Sequence, residues 1–223
     1  MPRLDRIVIP DLPHHVTQRG NNRQKVFFSD HDREFYLTTL KKQADRHGLE
    51  IIGYCLMTNH VHLVVRPETE ESLSPAIGRT HWLYSQHINL TRRRTGHLWQ
   101  GRFHSCPLGD PHFWWTLSYI EQNPVRAKIV RLPWEYAWSS ARAHVGHPDT
   151  SGLIDCVKWK GRMDPEDWKQ ILLERLDDDE VDRLRACTKR GRPFGSVEFL
   201  SKLEEALGIR PLPVGRPRKT KRP

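Results

Sequence analysis

The stretch Asn59-His60-Val61-His62-Leu63-Val64-Val65 decides the reading of this chain. Its β-branched, apolar composition predicts a strand, and a strand sends alternate side chains to opposite faces. His60 and His62 then share one face, while Val61, Leu63 and Val65 share the other. Two imidazoles side by side on a largely apolar strand need partners for their nitrogens. Two readings stay open at this point. The pair can be hydrogen-bonded sheet histidines, or it can hold one divalent ion. A lone His-x-His does not choose between them.

Working outward, Glu50 to Met57 reads as a strand, and the Thr58-Asn59 turn joins it to the histidine strand as a hairpin. Upstream, Asp30 to His47 is a helix, with Ser29 or Asp30 as cap, an apolar stripe of Phe35, Leu37, Leu40 and Ala44, and Gly48 as its close. Before it, His14 to Arg19 is a short strand ending at Gly20-Asn21-Asn22, where His14 and His15 read as strand-edge residues. Downstream come a helix over Ser72 to Leu90, a fourth strand over Leu98 to Leu108, and a third helix over Pro111 to Gln122. The order strand, helix, strand, strand, helix, strand, helix predicts an α+β fold. It is the ferredoxin-like split βαβ arrangement, a four-stranded antiparallel sheet with two crossover helices on one face. The other face is left for the histidines and the extra helix.

The aromatic segment Leu132 to Ser140 is expected to wrap against the sheet, and the turn-forming stretch Gly146 to Gly152 marks a boundary. This gives a catalytic domain over 1–148 and a small helical region over 149–207. Helices are expected after the Asp164 cap, from Asp177 to Ala186, and from Ser196 to Leu207. The acidic run Asp177 to Glu180 reads as a solvated helix start. Residues 208–223 hold six basic side chains, four prolines and no acid, and read as a disordered basic tail.

The 223 residues are 37% hydrophobic and 28% charged, enough for a real core, and the net charge of +9 favours a polyanionic partner, nucleic acid first. No apolar run approaches the roughly 18 residues of a membrane span, and the start of the chain has no secretory h-region. The four separated cysteines, Cys55, Cys106, Cys156 and Cys187, read as reduced thiols of a cytoplasmic protein.

The third helix carries Ser118-Tyr119-Ile120-Glu121-Gln122-Asn123-Pro124. Tyr119 and Asn123 are i and i+4 and project from one side of one turn, with Pro124 holding Asn123 at the helix end. The amide oxygen of Asn123 can join His60 and His62 as a third ligand of Mg²⁺ or Mn²⁺. The phenol of Tyr119 can be a nucleophile in phosphoryl transfer, because its pKa of about 10 also makes it a good leaving group, so a covalent step is reversible. Tyr119 can equally be a core-edge tyrosine. For single-stranded DNA, the interleaved basic and flat side chains Arg92, Arg93, Arg94, Trp99 and Arg102 are candidate contacts, with Trp99 or Phe103 alternatively core. Arg190, Arg192, Arg216 and Arg218, in two Arg-x-Arg strings beside Gly and Pro, add phosphate attraction.

Tyr54-Cys55-Leu56-Met57-Thr58-Asn59-His60-Val61-His62-Leu63, followed by Tyr119-Ile120-Glu121-Gln122-Asn123-Pro124-Val125-Arg126-Ala127, resembles the HUH class of single-tyrosine transposases, and more narrowly the REP-associated tyrosine transposases of bacteria. The likeness extends to Pro13 to Asn21, Gly96 to Phe103, Trp138 to Ala141 and Thr188 to Ser196, and Thr58 departs from it by standing where proline is commoner. The resemblance implies a metal-dependent nick in single-stranded hairpin repeats by a nucleoid-associated protein. In it Tyr119 bonds to the 5′ phosphate, and His60, His62 and, less directly, Asn123 are ligands. The partners so implied are hairpins of repetitive palindromic elements, acted on by a monomer or homodimer. Two rival functions stand beside it: a repeat-binding protein that does not cut, and a rolling-circle initiator or relaxase-like nickase.

Overall fold

In the computed structural model, which describes residues 6–208, the sheet has strand order β2-β3-β1-β4, with β1 His14–Arg19, β2 Leu49–Met57, β3 His60–Pro67 and β4 His104–Pro107. Every neighbouring pair is antiparallel. Two helices, α1 Asp30–His47 and α2 Leu73–Thr91, make the crossovers. This is the ferredoxin-like split βαβ order expected from the hairpin and its flanking helices. The Ser29 hydroxyl accepts from Asp32 N and the Asp32 carboxylate accepts from Ser29 N, a reciprocal cap, and Gly48 closes α1 at φ 61°.

Register separates the faces. Val16, Leu56, Val61, Leu63 and Val65 join the core beneath α1 and α2, with Ile77, Tyr84 and Ile88 of α2 above them. On the reverse face lie His15, Thr17, Cys55, His60, His62 and Cys106, because Thr17 stands opposite His62, Arg19 opposite His60, and His15 opposite Cys106. Helix α3, His112–Glu121, crosses this face and presses Leu117 so close to Gly53 that a Cβ there would collide with it.

Two expectations need correction. β1 lies between β3 and β4, so His14 and His15 are not edge residues but are fully buried. The fourth strand is confined to His104–Pro107 instead of starting at Leu98. Trp99 keeps one bridge to Gly20, and then the chain leaves the ladder, where the Gln18 side chain takes the Gly101 carbonyl at 2.7 Å in place of a backbone donor. Trp99 and Phe103 on either side both turn into the crossover core.

Beyond α3, the short helix α4 Asn123–Arg126 follows at once. The aromatic wrap runs along the outer edge of β2, where Leu56 N donates to Trp138 O and Ser140 N to Tyr54 O, which covers that edge. Five more helices follow: α5 Ala141–His144, α6 Cys156–Lys160, α7 Pro165–Leu173, α8 Asp178–Arg190 and α9 Val197–Leu207. Asp164 caps α7 as expected, and Asp177 and Ser196, where the next two helices were expected to begin, cap α8 and α9. Trp159, Trp168, Leu172, Val181, Leu184 and Phe194 from this region form one apolar cluster with Leu117 and Ile120 of α3 and Val64 and Cys106 of the sheet. The buried Glu121 carboxylate pins α3 within it, accepting from Ser140 Oγ, from His144 Nδ1 at 2.7 Å and from Trp168 Nε1 at 2.9 Å.

Candidate active site

His60 and His62 stand two residues apart on β3, with ring centroids 5.0 Å apart and planes at 81°. The Asn59 amide nitrogen donates to Arg23 O, which leaves its oxygen facing His60 Nδ1 at 2.6 Å. That oxygen can only accept, so His60 carries its proton on Nδ1 and its Nε2 holds a lone pair. Burial, reinforced by Arg19 and Arg185, lowers the His60 pKa to about 4. Burial, then His60 and His15, hold His62 well below its usual value. Both rings are therefore neutral near pH 7, the form that binds a metal.

Tyr119 approaches from α3, edge-on to His62 with centroids 5.8 Å apart. Its ring lies parallel to Trp115 on one side and has the Arg126 guanidinium carbon 4.8 Å from its centroid. The one-turn relation of Tyr119 and Asn123 survives the helix break at Gln122, and both side chains line the same pocket as His60 and His62. Asn123 Nδ2 donates to Ile120 O at 3.3 Å, and among the described residues its Oδ1 has no hydrogen-bond partner. Two imidazole nitrogens and a carboxamide oxygen suit a hard, partly hydrated divalent ion. Among the described residues no group of three His, Cys, Asp or Glu side chains is placed to hold a metal, so a site here depends on Asn123 as its third donor.

The pocket has a volume of about 1210 Å³, and every charged side chain lining it is basic, including Arg19, Arg23, Arg102, Arg126, Arg185 and Arg190. Burial works against the Arg185 charge, but its interactions with the Tyr119 phenol and with Asp182 outweigh that and raise its pKa.

Of the DNA-contact candidates, Arg102 and Arg190 line this pocket. Arg92, Arg93 and Arg94 do not. Arg92 lies over Phe28 and 3.5 Å from Asp32, and Arg94 donates to Gln24. Arg192 also falls outside the lining, and Arg216 and Arg218 lie outside the described residues. Trp99 is a correction: its indole donates to His81 O and its ring lies tilted against His81 and Tyr84, buried in the crossover core. Sequence reasoning missed Arg19, Arg126, Arg185, Lys189, His15 and Thr188. The spacing Arg185, Thr188, Lys189 on one face of α8 was the available signal.

The family model described as Transposase IS200 like matches residues 9–123. A solved structure titled as the REP-associated tyrosine transposase bound to a REP hairpin superimposes with a TM-score of 0.57 at 18% identity, covering 70% of this chain and 90% of that one. A second, a candidate transposase from Deinococcus radiodurans, has a TM-score of 0.37 at 17% identity, covering 54% of this chain and 97% of that one. No curated protein matches the chain. Among the described residues no helix is long and apolar enough to cross a membrane.

Proposed function

The chain belongs to the IS200-like transposases, and from that premise we propose that it nicks and rejoins single-stranded DNA at hairpin repeats through a covalent bond to Tyr119. The observation that carries the reading is the meeting, in one basic pocket, of Tyr119 and Asn123 from α3–α4 with His60 and His62 from β3. The solved protein that shares this fold is bound to a REP hairpin, which is why hairpin-forming repeats are the substrate proposed here.

In the forward step the Tyr119 hydroxyl oxygen attacks the scissile phosphorus. An O–P bond forms to the tyrosine, its proton passes to solvent, and the bond to the 3′ oxygen breaks. That oxygen leaves as a 3′ hydroxyl after taking a proton, and the 5′ phosphate stays on Tyr119. Attack by a 3′ hydroxyl reverses the step with the phenol as leaving group. His60, His62 and Asn123 would hold Mg²⁺ or Mn²⁺, which when bound supplies polarisation of a non-bridging phosphate oxygen. Arg126 lies over the Tyr119 ring and Arg185 interacts with its phenol, so both bring positive charge to the nucleophile, where it can meet the phosphate. The remaining pocket arginines track the strand's backbone.

The test is a 5′- and 3′-labelled hairpin oligonucleotide incubated with the protein and Mn²⁺. The expected products are a free 3′ hydroxyl fragment and a denaturant-resistant protein–DNA adduct. Tight hairpin binding with neither product would favour the non-cutting repeat binder.

A further inference from the structure

Helix α8 lies outside the segment matched by the family model, yet it reaches the histidine pair. Thr188 Oγ1 is 2.8 Å from His15 Nδ1, and His15 Nε2 is 2.9 Å from His62 Nδ1. We propose that Thr188, acting through His15, is a positioning residue that fixes the tautomer of His62 so that His62 Nε2 presents its lone pair to a divalent cation. This rests on the reading of His62 as a ligand given above.

The direction of each hydrogen bond follows from counting protons. Thr188 Oγ1 has one hydrogen and donates it to Leu184 O at 2.8 Å, one turn back in α8. Toward His15 it can then only accept, so His15 carries its proton on Nδ1. His15 is buried and no acidic side chain lines its pocket to stabilise a second proton, so it is neutral and its Nε2 must accept. His62 Nδ1 is therefore the donor, and its Nε2 is left bare. Cys106 Sγ, 3.2 Å from the same threonine oxygen, is compatible as a second donor. Had Thr188 donated to His15 instead, both rings would invert and His62 would point an N–H at the cation position. The bond to Leu184 O excludes that arrangement. The linking atoms are held within the protein, since His15, Thr188 and Cys106 are all buried. His60 reaches the same state by a local route, through Asn59. The two rings thus present equivalent nitrogens, one set by the adjacent residue and one by a helix far along the chain. Partners of this kind orient a ligand and raise its basicity.

Two measurements on the full chain test this. A long-range ¹H–¹⁵N correlation spectrum of the metal-free wild-type protein should show His62 protonated at Nδ1; protonation at Nε2 overturns the proposal. Calorimetric titration with Mn²⁺, without DNA, should show Thr188→Val binding roughly 10–100-fold more weakly, while Thr188→Ser, which keeps the acceptor, binds as wild type. Equal affinity for Thr188→Val also overturns it. If Thr188→Val does not fold, the wild-type spectrum decides alone. Adduct formation by the wild type with His62 protonated at Nε2 would sink this inference and leave the proposed function standing. The expected tautomer with no adduct would do the reverse.

Discussion

The two faces of one sheet bury their strands in different ways. Beneath α1 and α2 lie Val16, Leu56, Val61, Leu63 and Val65, which ask only for apolar neighbours. Across the same backbone, Thr17 and His60 line the pocket while His15 and His62 are buried beside α3 and α8, and the polar groups buried there must meet specific partners. Apolar burial is satisfied by any close-packed surface, whereas polar burial is satisfied only by named atoms at fixed distances. The first face can therefore be completed by the helices next in sequence. The second needed residues from the far end of the chain, and those residues bring Arg185 and Thr188 into the site.

The sharpest way to break this comparison is Tyr119→Phe. Removing the hydroxyl should abolish the covalent adduct altogether, while hairpin affinity stays within a few-fold, because affinity comes from phosphate contacts elsewhere in the pocket. Filter binding and a denaturing gel on the same samples check both halves. An adduct from the Phe variant would remove Tyr119 from its role. A large loss of affinity would mean that the phenol is a binding group.

Next in size is a paired truncation, one on each side of the sheet. Leu63→Ala empties space in a fully buried apolar site and should cost about 2–5 kcal/mol in urea unfolding. His60→Ala, at the partly exposed rim of the other face, should cost under about 1 kcal/mol and still eliminate Mn²⁺-dependent cleavage. If His60→Ala destabilises as much as Leu63→Ala, the histidine face is core first and site second.

How much of this was legible follows from the same contrast. The alternation of Val61, Leu63 and Val65 against His60 and His62 gave the faces, and the caps Ser29, Gly48 and Asp164 gave helix ends, because both signals are local. The i, i+4 relation of Tyr119 and Asn123 gave their common side. The fourth strand was overextended because Trp99 and Phe103 can alternate onto one face with Gly101 between them. What ends it is a side chain, Gln18, claiming the Gly101 carbonyl from another strand. Trp99 was misassigned for a related reason: an aromatic among arginines looks like a stacking platform until α2 supplies His81 O for its indole. Glu121 and His15 were overlooked because nothing near them in sequence shows that Trp168, His144 and Thr188 will be their partners.

A smaller effect is one of pH. His81, on the crossover face, bonds the Tyr36 hydroxyl at 3.0 Å, and burial lowers its pKa to about 3. Burial also lowers His14 to about 4, against an opposing bond to Leu12 O. In the unfolded chain such groups titrate near 6.5. As pH falls below that value the unfolded state takes up protons that the native state refuses, so stability drops until pH reaches the folded pKa values near 3–4. Above pH 7 these two histidines contribute no slope. Urea unfolding across pH 4 to 8 should show this decline, at most about 1.4 kcal/mol per pH unit for each group. His81→Gln, which keeps an acceptor for Tyr36, should remove one group's share. An unchanged slope in that variant would mean that His81 takes a proton within the folded core.

The smallest effect distinguishes two arginines that look alike in sequence. Arg102 lines the pocket of His60 and His62, while Arg92 lies over Phe28 beside Asp32, outside that lining. Each phosphate neutralised on a single strand adds roughly 0.7 to the slope of log affinity against log salt. Arg102→Ala should therefore lower that slope by about 0.7 and weaken binding most at low salt. Arg92→Ala should leave the slope unchanged and cost only a little stability, since a half-exposed pair with Asp32 is worth about 1 kcal/mol or less. Equal slope changes in the two variants would place the strand over both arginines, and the DNA path would then extend around the end of α2 instead of staying within the histidine face.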